Sequence, residues 1–175
     1  SGRAKYAYDV HRPGMLYGAL LTCPHAHARI TSIDTSAAEK SPGVMAVDLM
    51  ARPGEEIQYA GYEIASVAAT TLEQARDAVR KIKVAYEVLP HLVDERDLAK
   101  AGSRAKASGE QVSGDPDQAF KEADVVSEGF YGIPVLTHCC MEAHGQVIEW
   151  KPDRFDYWPS TQNVSGVGGD LAKVL

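Results

Sequence analysis

The chain has 175 residues, 45% of them hydrophobic and 24% charged, which gives a globular composition with room for one domain or one plus part of a second. A net charge of −6 argues against a nucleic-acid partner, which needs a basic face. No apolar run approaches the roughly 20 residues of a membrane span, and no charged start followed by an apolar core marks a secretory leader; the compartment stays open. Three cysteines are an odd number, and Cys139 and Cys140 are adjacent. Neighbouring cysteines bond to each other only under strain, so a disulfide framework is not expected.

Val10 to Thr22 holds Met15, Leu16, Tyr17, Leu20 and Leu21 around a Pro13-Gly14 turn and predicts a buried strand. Ala28 to Asp34 alternates and predicts a second. Ser36-Ala37-Ala38-Glu39 has the spacing of a capping box, so a short helix starts there and Pro42-Gly43 stops it. Val44 to Leu49 reads as a third strand. Arg52 to Tyr62 reads as a polar loop and Glu63 to Thr70 as a strand. Thr71-Leu72-Glu73-Gln74 is another capping box, opening a helix through Lys81 with Ala75, Ala78, Val79 and Ile82 on one face. Glu73, Arg76, Asp77 and Arg80 lie on its charged, solvated face. Lys83 to Val88 alternates with Val84, Tyr86 and Val88 on one side, a half-buried strand that Leu89-Pro90 ends.

Residues 1–93 therefore predict a mixed α+β unit. Residues 94–114 carry scarcely a large apolar side chain and read as a linker. A second unit, 115–175, follows. Asp115-Pro116-Asp117-Gln118 places an N-cap, a first-turn proline and a capping-box glutamine ahead of a helix to about Ala123. Asp124 to Tyr131, Gly145 to Trp150 and Arg154 to Trp158 predict strands, the last two joined by a hairpin turn at Asp153-Arg154. Val164 to Gly169 is glycine-rich. Asp170 to Leu175 opens an apolar segment without a closing cap, the pattern expected of an element cut short.

Some residues admit two readings. His25 and His27 would share one side of a strand and could hold a metal, or could serve a hydrogen-bonded structural or interface role. His138, Cys139, Cys140, Glu142 and His144 offer atoms zinc accepts. They lack paired cysteine spacing, so the alternative is a buried turn with the thiols packed as small apolar groups. By residue type alone, Ser160-Thr161-Gln162 at a strand end is a solvated turn.

Ordered pieces of the sequence resemble a known family. They are Pro13-Gly14-Met15-Leu16-Tyr17-Gly18, Pro24-His25-Ala26-His27-Ala28-Arg29-Ile30 and Ile33-Asp34-Thr35-Ser36-Ala37-Ala38. Val84-Ala85-Tyr86-Glu87-Val88-Leu89-Pro90, Gly114-Asp115, Ala119-Phe120, Ala123-Asp124 and Pro159-Ser160-Thr161-Gln162 follow. In this order they resemble the molybdenum-binding large subunit of the xanthine dehydrogenase/aldehyde oxidase family, isoquinoline 1-oxidoreductase-like members above all. The resemblance implies a hammerhead-like α+β domain over 1–93 and the N-terminal part of a molybdopterin-binding α+β domain over 115–175, truncated.

The resemblance further implies a molybdenum hydroxylase. Such an enzyme hydroxylates an N-heterocycle or aldehyde carbon with oxygen from water and passes the electrons to an iron–sulfur partner. Its cofactor would be molybdopterin, in the cytosine dinucleotide form, with a small-molecule substrate. Gln162 would be the cofactor-binding residue beside the molybdenum oxo ligand, because an amide donates a hydrogen bond without adding charge. No residue of this chain matches the family's carboxylate base, so no catalytic residue and no metal ligand is assigned here. The remainder of the large subunit would supply them, and the isolated piece is expected to be inactive. The alternative is a non-catalytic α+β assembly module. If the enzyme reading holds, the surfaces should leave an apolar flank.

Overall fold

The computed structural model describes residues 2–94, 96–104, 109–133 and 136–173. They divide into two compact units, one of residues 11–100 and one of residues 1–10 with 101–175. Both helices and strands are present, so the α+β class is observed.

The first unit holds two antiparallel sheets of three strands each. One runs β1 (Tyr17–Thr22), β5 (Glu63–Ala69), β3 (Val44–Leu49). The other runs β4 (Glu56–Ile57), β2 (Ala28–Asp34), β6 (Lys83–Val88). β5 is central and its inward residues are small: Ala65, Val67 and Ala69 are buried. This leaves room for the helices α1 (Ser36–Glu39) and α2 (Leu72–Val79), whose Ala38 and Ala78 pack with Ala65, Val67 and Ile82. A second cluster gathers Cys23, Ile30, Ala51, Ile57 and Ile64. Ile64 and Ala65 are neighbours on β5 and enter different clusters, because successive strand side chains face opposite ways.

Several expectations meet their physical limits here. β1 begins at Tyr17 rather than Val10, and it alternates between half-buried and exposed rather than being buried throughout. It is an edge strand, with β5 on one side only. β2, β3, β5 and β6 fall where the sequence places them, β5 ending at Ala69 rather than Thr70. β4 lies inside the stretch read as a polar loop; two residues pair with Ala28 and Arg29 of β2, too few to leave a period.

The N-cap of α1 is Thr35, not Ser36. Ser36 donates its N–H and its hydroxyl to Asp34 Oδ1, at 3.0 and 2.6 Å, which holds the Asp34 carboxyl below its usual range. The cap of α2 is as read: Thr71 Oγ1 accepts from the Gln74 N–H at 3.2 Å. The return half of the box is replaced, since Gln74 Oε1 accepts from the Thr70 hydroxyl at 2.5 Å.

That same Gln74 side chain closes over Gly43. Gly43 has φ +77°, and a Cβ built there would stand 2.1 Å from Gln74 Oε1. Gly43 also accepts the Thr70 N–H through its carbonyl at 2.9 Å. Only glycine adopts this backbone without strain. Gly43→Ala should lower stability by about 1–3 kcal/mol, read as a lower urea midpoint with unchanged m-value; an unshifted midpoint would contradict the packing described.

In the second unit, α4 (Pro116–Glu122) is capped by Asp115, whose carboxylate accepts from the Gln118 N–H at 3.0 Å. β7 (Gln146–Trp150) and β8 (Phe155–Pro159) form a hairpin. Trp150 pairs with Phe155, and Lys151 donates its N–H to the Arg154 carbonyl at 2.8 Å. The turn is therefore Pro152-Asp153, one residue before the predicted position.

Residues 94–114 are not plain linker. Leu98–Ala101 is a helical turn, α3, and Gly102–Arg104 continues it as a 3-10 turn. The alanine and lysine content that leaves no core also has high helix propensity. Residues 105–108 of that stretch lie outside the described residues.

Asp124 to Tyr131, predicted as a strand, belongs to no strand or helix and lies outside any ladder among the described residues. Its apolar side chains face solvent: Val125 is 84% exposed and Phe130 94%. Alternation supplies the face of a strand but not the partner that makes it one. The glycine-rich Val164 to Gly169 runs into α5 (Val167–Leu171), which begins three residues before the predicted Asp170.

Candidate functional site

The hairpin builds the site. Its register sets Gln146 opposite Pro159, so the residues just before Gln146 must lie beside those just after Pro159. Ser160 donates its N–H to the Gly145 carbonyl at 2.9 Å and extends that pairing by one step. The chain then turns. Asn163 donates its N–H to Thr161 Oγ1 at 3.0 Å, and Asn163 Oδ1 accepts from the Gly166 N–H at 3.1 Å. These bonds fix residues 160–166 and present the Gln162 side chain to a cleft of about 820 Å³.

The cleft is walled by Ser160, Thr161 and Gln162 on one side and by residues of Leu136 to His144 on the other. Gln162 Nε2 lies 3.8 Å from Cys140 Sγ, a weak contact that leaves the amide free to serve a better acceptor. Glu142 is tied to the N-terminal segment, accepting the Ala7 N–H at 3.2 Å. Thr137 Oγ1 lies 3.1 Å from Cys139 Sγ. The wall is thus rich in uncharged donors: one amide, two threonine hydroxyls and a serine.

The His138–His144 cluster is neither of the two arrangements read from sequence. Its cysteines are exposed rather than packed in a core. Among the described residues, no three His, Cys, Asp or Glu side chains are arranged to hold a metal ion. What sequence reasoning missed is that this segment and Gln162 share one cleft. The signal was present in the hairpin register, which brings residues 145 and 160 together.

His25 and His27 sit in the loop between β1 and β2, not on a strand. The two rings have separate roles. His25 stands edge-on to Tyr86, with ring centroids 5.0 Å apart. Burial, with Cys23 nearby, pushes the Tyr86 hydroxyl up to about 12, so it is a neutral phenol at working pH. His27 lies between two acceptors, the Pro90 carbonyl 2.6 Å from Nδ1 and Glu56 Oε1 2.7 Å from Nε2, an arrangement that suits the doubly protonated ring. Arg29 joins this group, donating to Glu56 at 3.3 Å and to Glu87 at 3.1 Å.

His27 first, then Arg29, holds the Glu56 carboxyl below its ordinary value of 4.5. A lowered folded value means that Glu56 stabilises the fold above the ordinary value and loses that contribution as pH falls through the lowered one. The stability gap between the wild-type chain and Glu56→Gln should therefore shrink as pH falls from about 6 to about 3; a gap independent of pH would rule out this linkage.

Comparison with known proteins places the cleft in context. Residues 1–52 match the aldehyde oxidase and xanthine dehydrogenase a/b hammerhead domain. Residues 100–175, which include the whole cleft, match the molybdopterin cofactor-binding domain. The chain belongs to the xanthine dehydrogenase/aldehyde oxidase family of molybdenum-binding proteins.

Among its relatives is the aldehyde oxidoreductase molybdenum-binding subunit PaoC of Escherichia coli (strain K12). The two are 31% identical over 195 residues, covering all of this chain and 26% of PaoC. Mouse xanthine dehydrogenase/oxidase is 31% identical over all of the chain and 14% of its own length. The crystal structure of quinoline 2-oxidoreductase from Pseudomonas putida 86 superposes with a TM-score of 0.78 at 26% identity, over 98% of this chain and 26% of that one. The chain thus spans about a quarter of the length of the first curated relative. No helix among the described residues is long and apolar enough to cross a membrane.

Proposed function

We propose that this chain is part of the large subunit of a molybdenum hydroxylase, and that Gln162 is its contact with the molybdopterin cofactor. The observation that carries the proposal is the placement of the Gln162 amide at a cleft wall, with a long sulfur contact of 3.8 Å among the described residues, inside the segment that matches a cofactor-binding domain. The residues present fit such a group. An uncharged amide donates to an anionic or electron-rich ligand without fixing a counter-charge, and the bonds around Thr161 and Asn163 fix the backbone turn that carries it. Ser160 and Thr161 line the same wall and would border the cofactor.

When bound, the cofactor supplies the two-electron oxidation of a carbon next to nitrogen or of an aldehyde carbon, with oxygen from water. In this reading the cofactor is the cytosine dinucleotide form, and the electrons go on to an iron–sulfur partner. Residues 1–93 are assigned to the hammerhead-like domain, 94–114 to the connection and 115–175 to the start of the cofactor domain. No carboxylate of the chain is assigned as the base. The exposed apolar run of Val125, Phe130, Tyr131 and Ile133 supports the reading, because a patch of this kind marks a surface that further protein covers.

The test is purification of the full-length gene product with the proteins that accompany it, followed by metal analysis and dye reduction. Molybdenum and iron in the complex, with dye reduced by an aldehyde or an N-heterocycle, are the expected results. The 175-residue chain alone should reduce no dye. A full-length product without molybdenum, or turnover by the short chain, would overturn the proposal.

A further inference from the structure

The two exposed thiols of the cleft have a geometry that neither the fold nor the proposed cofactor contact explains. Along an extended chain, successive side chains point to opposite sides. Cys139 and Cys140 nonetheless line the same cleft. The backbone there is not extended: Cys139 has φ +47°, the only positive φ at a non-glycine residue among the described residues. Such a backbone is strained for a side-chain-bearing residue, and strain of this kind concentrates at functional positions. Thr137 Oγ1 stands 3.1 Å from Cys139 Sγ, and Gln162 Nε2 stands 3.8 Å from Cys140 Sγ, so each sulfur has a polar neighbour on the wall.

Two adjacent thiols lining one cleft could form a disulfide, hold a metal or clasp a larger soft atom. A disulfide between neighbours closes a small strained ring. A metal needs further ligands, and no third one is arranged among the described residues. A soft trivalent centre needs only the two sulfurs, and sulfur ligands select soft centres. We propose that Cys139 and Cys140 form a two-sulfur site for trivalent arsenicals. With an organoarsenic oxide, two S–H bonds and the arsenic–oxygen double bond break, two arsenic–sulfur bonds form, and one water leaves with the two thiol protons; nothing is oxidised or reduced. The adduct fills the cleft wall beside Gln162. The inference stands on the cleft geometry alone and holds whether or not Gln162 contacts a cofactor.

The experiment uses the reduced 175-residue chain and phenylarsine oxide, read by intact mass and by iodoacetamide labelling after denaturation. One arsenical per chain and protection of two of the three thiols are expected. Cys23, buried in the first core cluster, is the thiol left to react, so Cys23→Ser keeps the adduct. Cys139→Gly, which preserves the positive φ, and Cys140→Ser each lose it. A dithiol such as 2,3-dimercaptopropanol should release the arsenical, and glutathione at the same thiol concentration should not. Absence of an adduct in the wild-type chain, an adduct retained in Cys139→Gly, or release by glutathione would each overturn the proposal.

Discussion

Ile30→Ala will destabilise the unit formed by residues 11–100 by about 2–5 kcal/mol. Ile30 is fully buried on the middle strand of its sheet and packs with Cys23, Ala51, Ile57 and Ile64. Those neighbours come from four different segments, so none can move inward without breaking its own backbone bonds. The backbone of Ile30 is held as well: its N–H donates to the Glu55 carbonyl at 3.0 Å, and its carbonyl accepts from the Gly54 N–H at 2.7 Å. The backbone stays pinned while the side chain is cut away, and the cavity persists. Ile30→Val, which removes one methylene, should cost about 0.5–1.5 kcal/mol. Met45→Ala, at a side chain 65% exposed, should stay within about 0.5 kcal/mol. Urea unfolding of the three variants checks the order; an Ala variant no weaker than the Val variant would show that Ile30 is not the centre of this core.

Gln162→Leu in the complete enzyme should lower kcat by about 10²–10³-fold, the usual cost of losing one preorganised donor at a reacting centre. Leucine keeps the approximate size and removes the donor. Stability should barely change, because Gln162 is exposed and its protein contact is a 3.8 Å sulfur approach. Gln162→Glu should fall at least as far, since it replaces a donor with a charged acceptor. The comparison separates the donor from the fold: activity lost at unchanged melting temperature and molybdenum content is the expected pattern. Equal losses of activity and stability would place Gln162 among structural residues instead.

Much of the first unit was legible because its strands carry their own period. β6 runs over Lys83–Val88 as predicted, with Val84 and Tyr86 turned inward, while Val88 at the strand end is exposed rather than half-buried. The α2 cap was legible because Thr71 and Gln74 stand at fixed spacing. Features that depend on a partner were not. β4 exists because Glu56 and Ile57 meet β2, and two residues leave no pattern. Residues 124–131 have the pattern without the partner. For the site, residue type and resemblance singled out both Gln162 and the cysteine segment, but as separate features. Their union required the hairpin register, and the positive φ of Cys139 is a backbone state that a cysteine does not announce.

The cofactor assignment rests on the Gln162 wall of the cleft. A crystal structure of the full-length subunit with molybdopterin bound is the direct measurement. The cofactor should occupy the cleft with the Gln162 amide nitrogen within hydrogen-bond reach, about 2.7–3.2 Å, of one of its polar atoms. A cofactor seated elsewhere, with Gln162 facing only water or protein, would contradict the account.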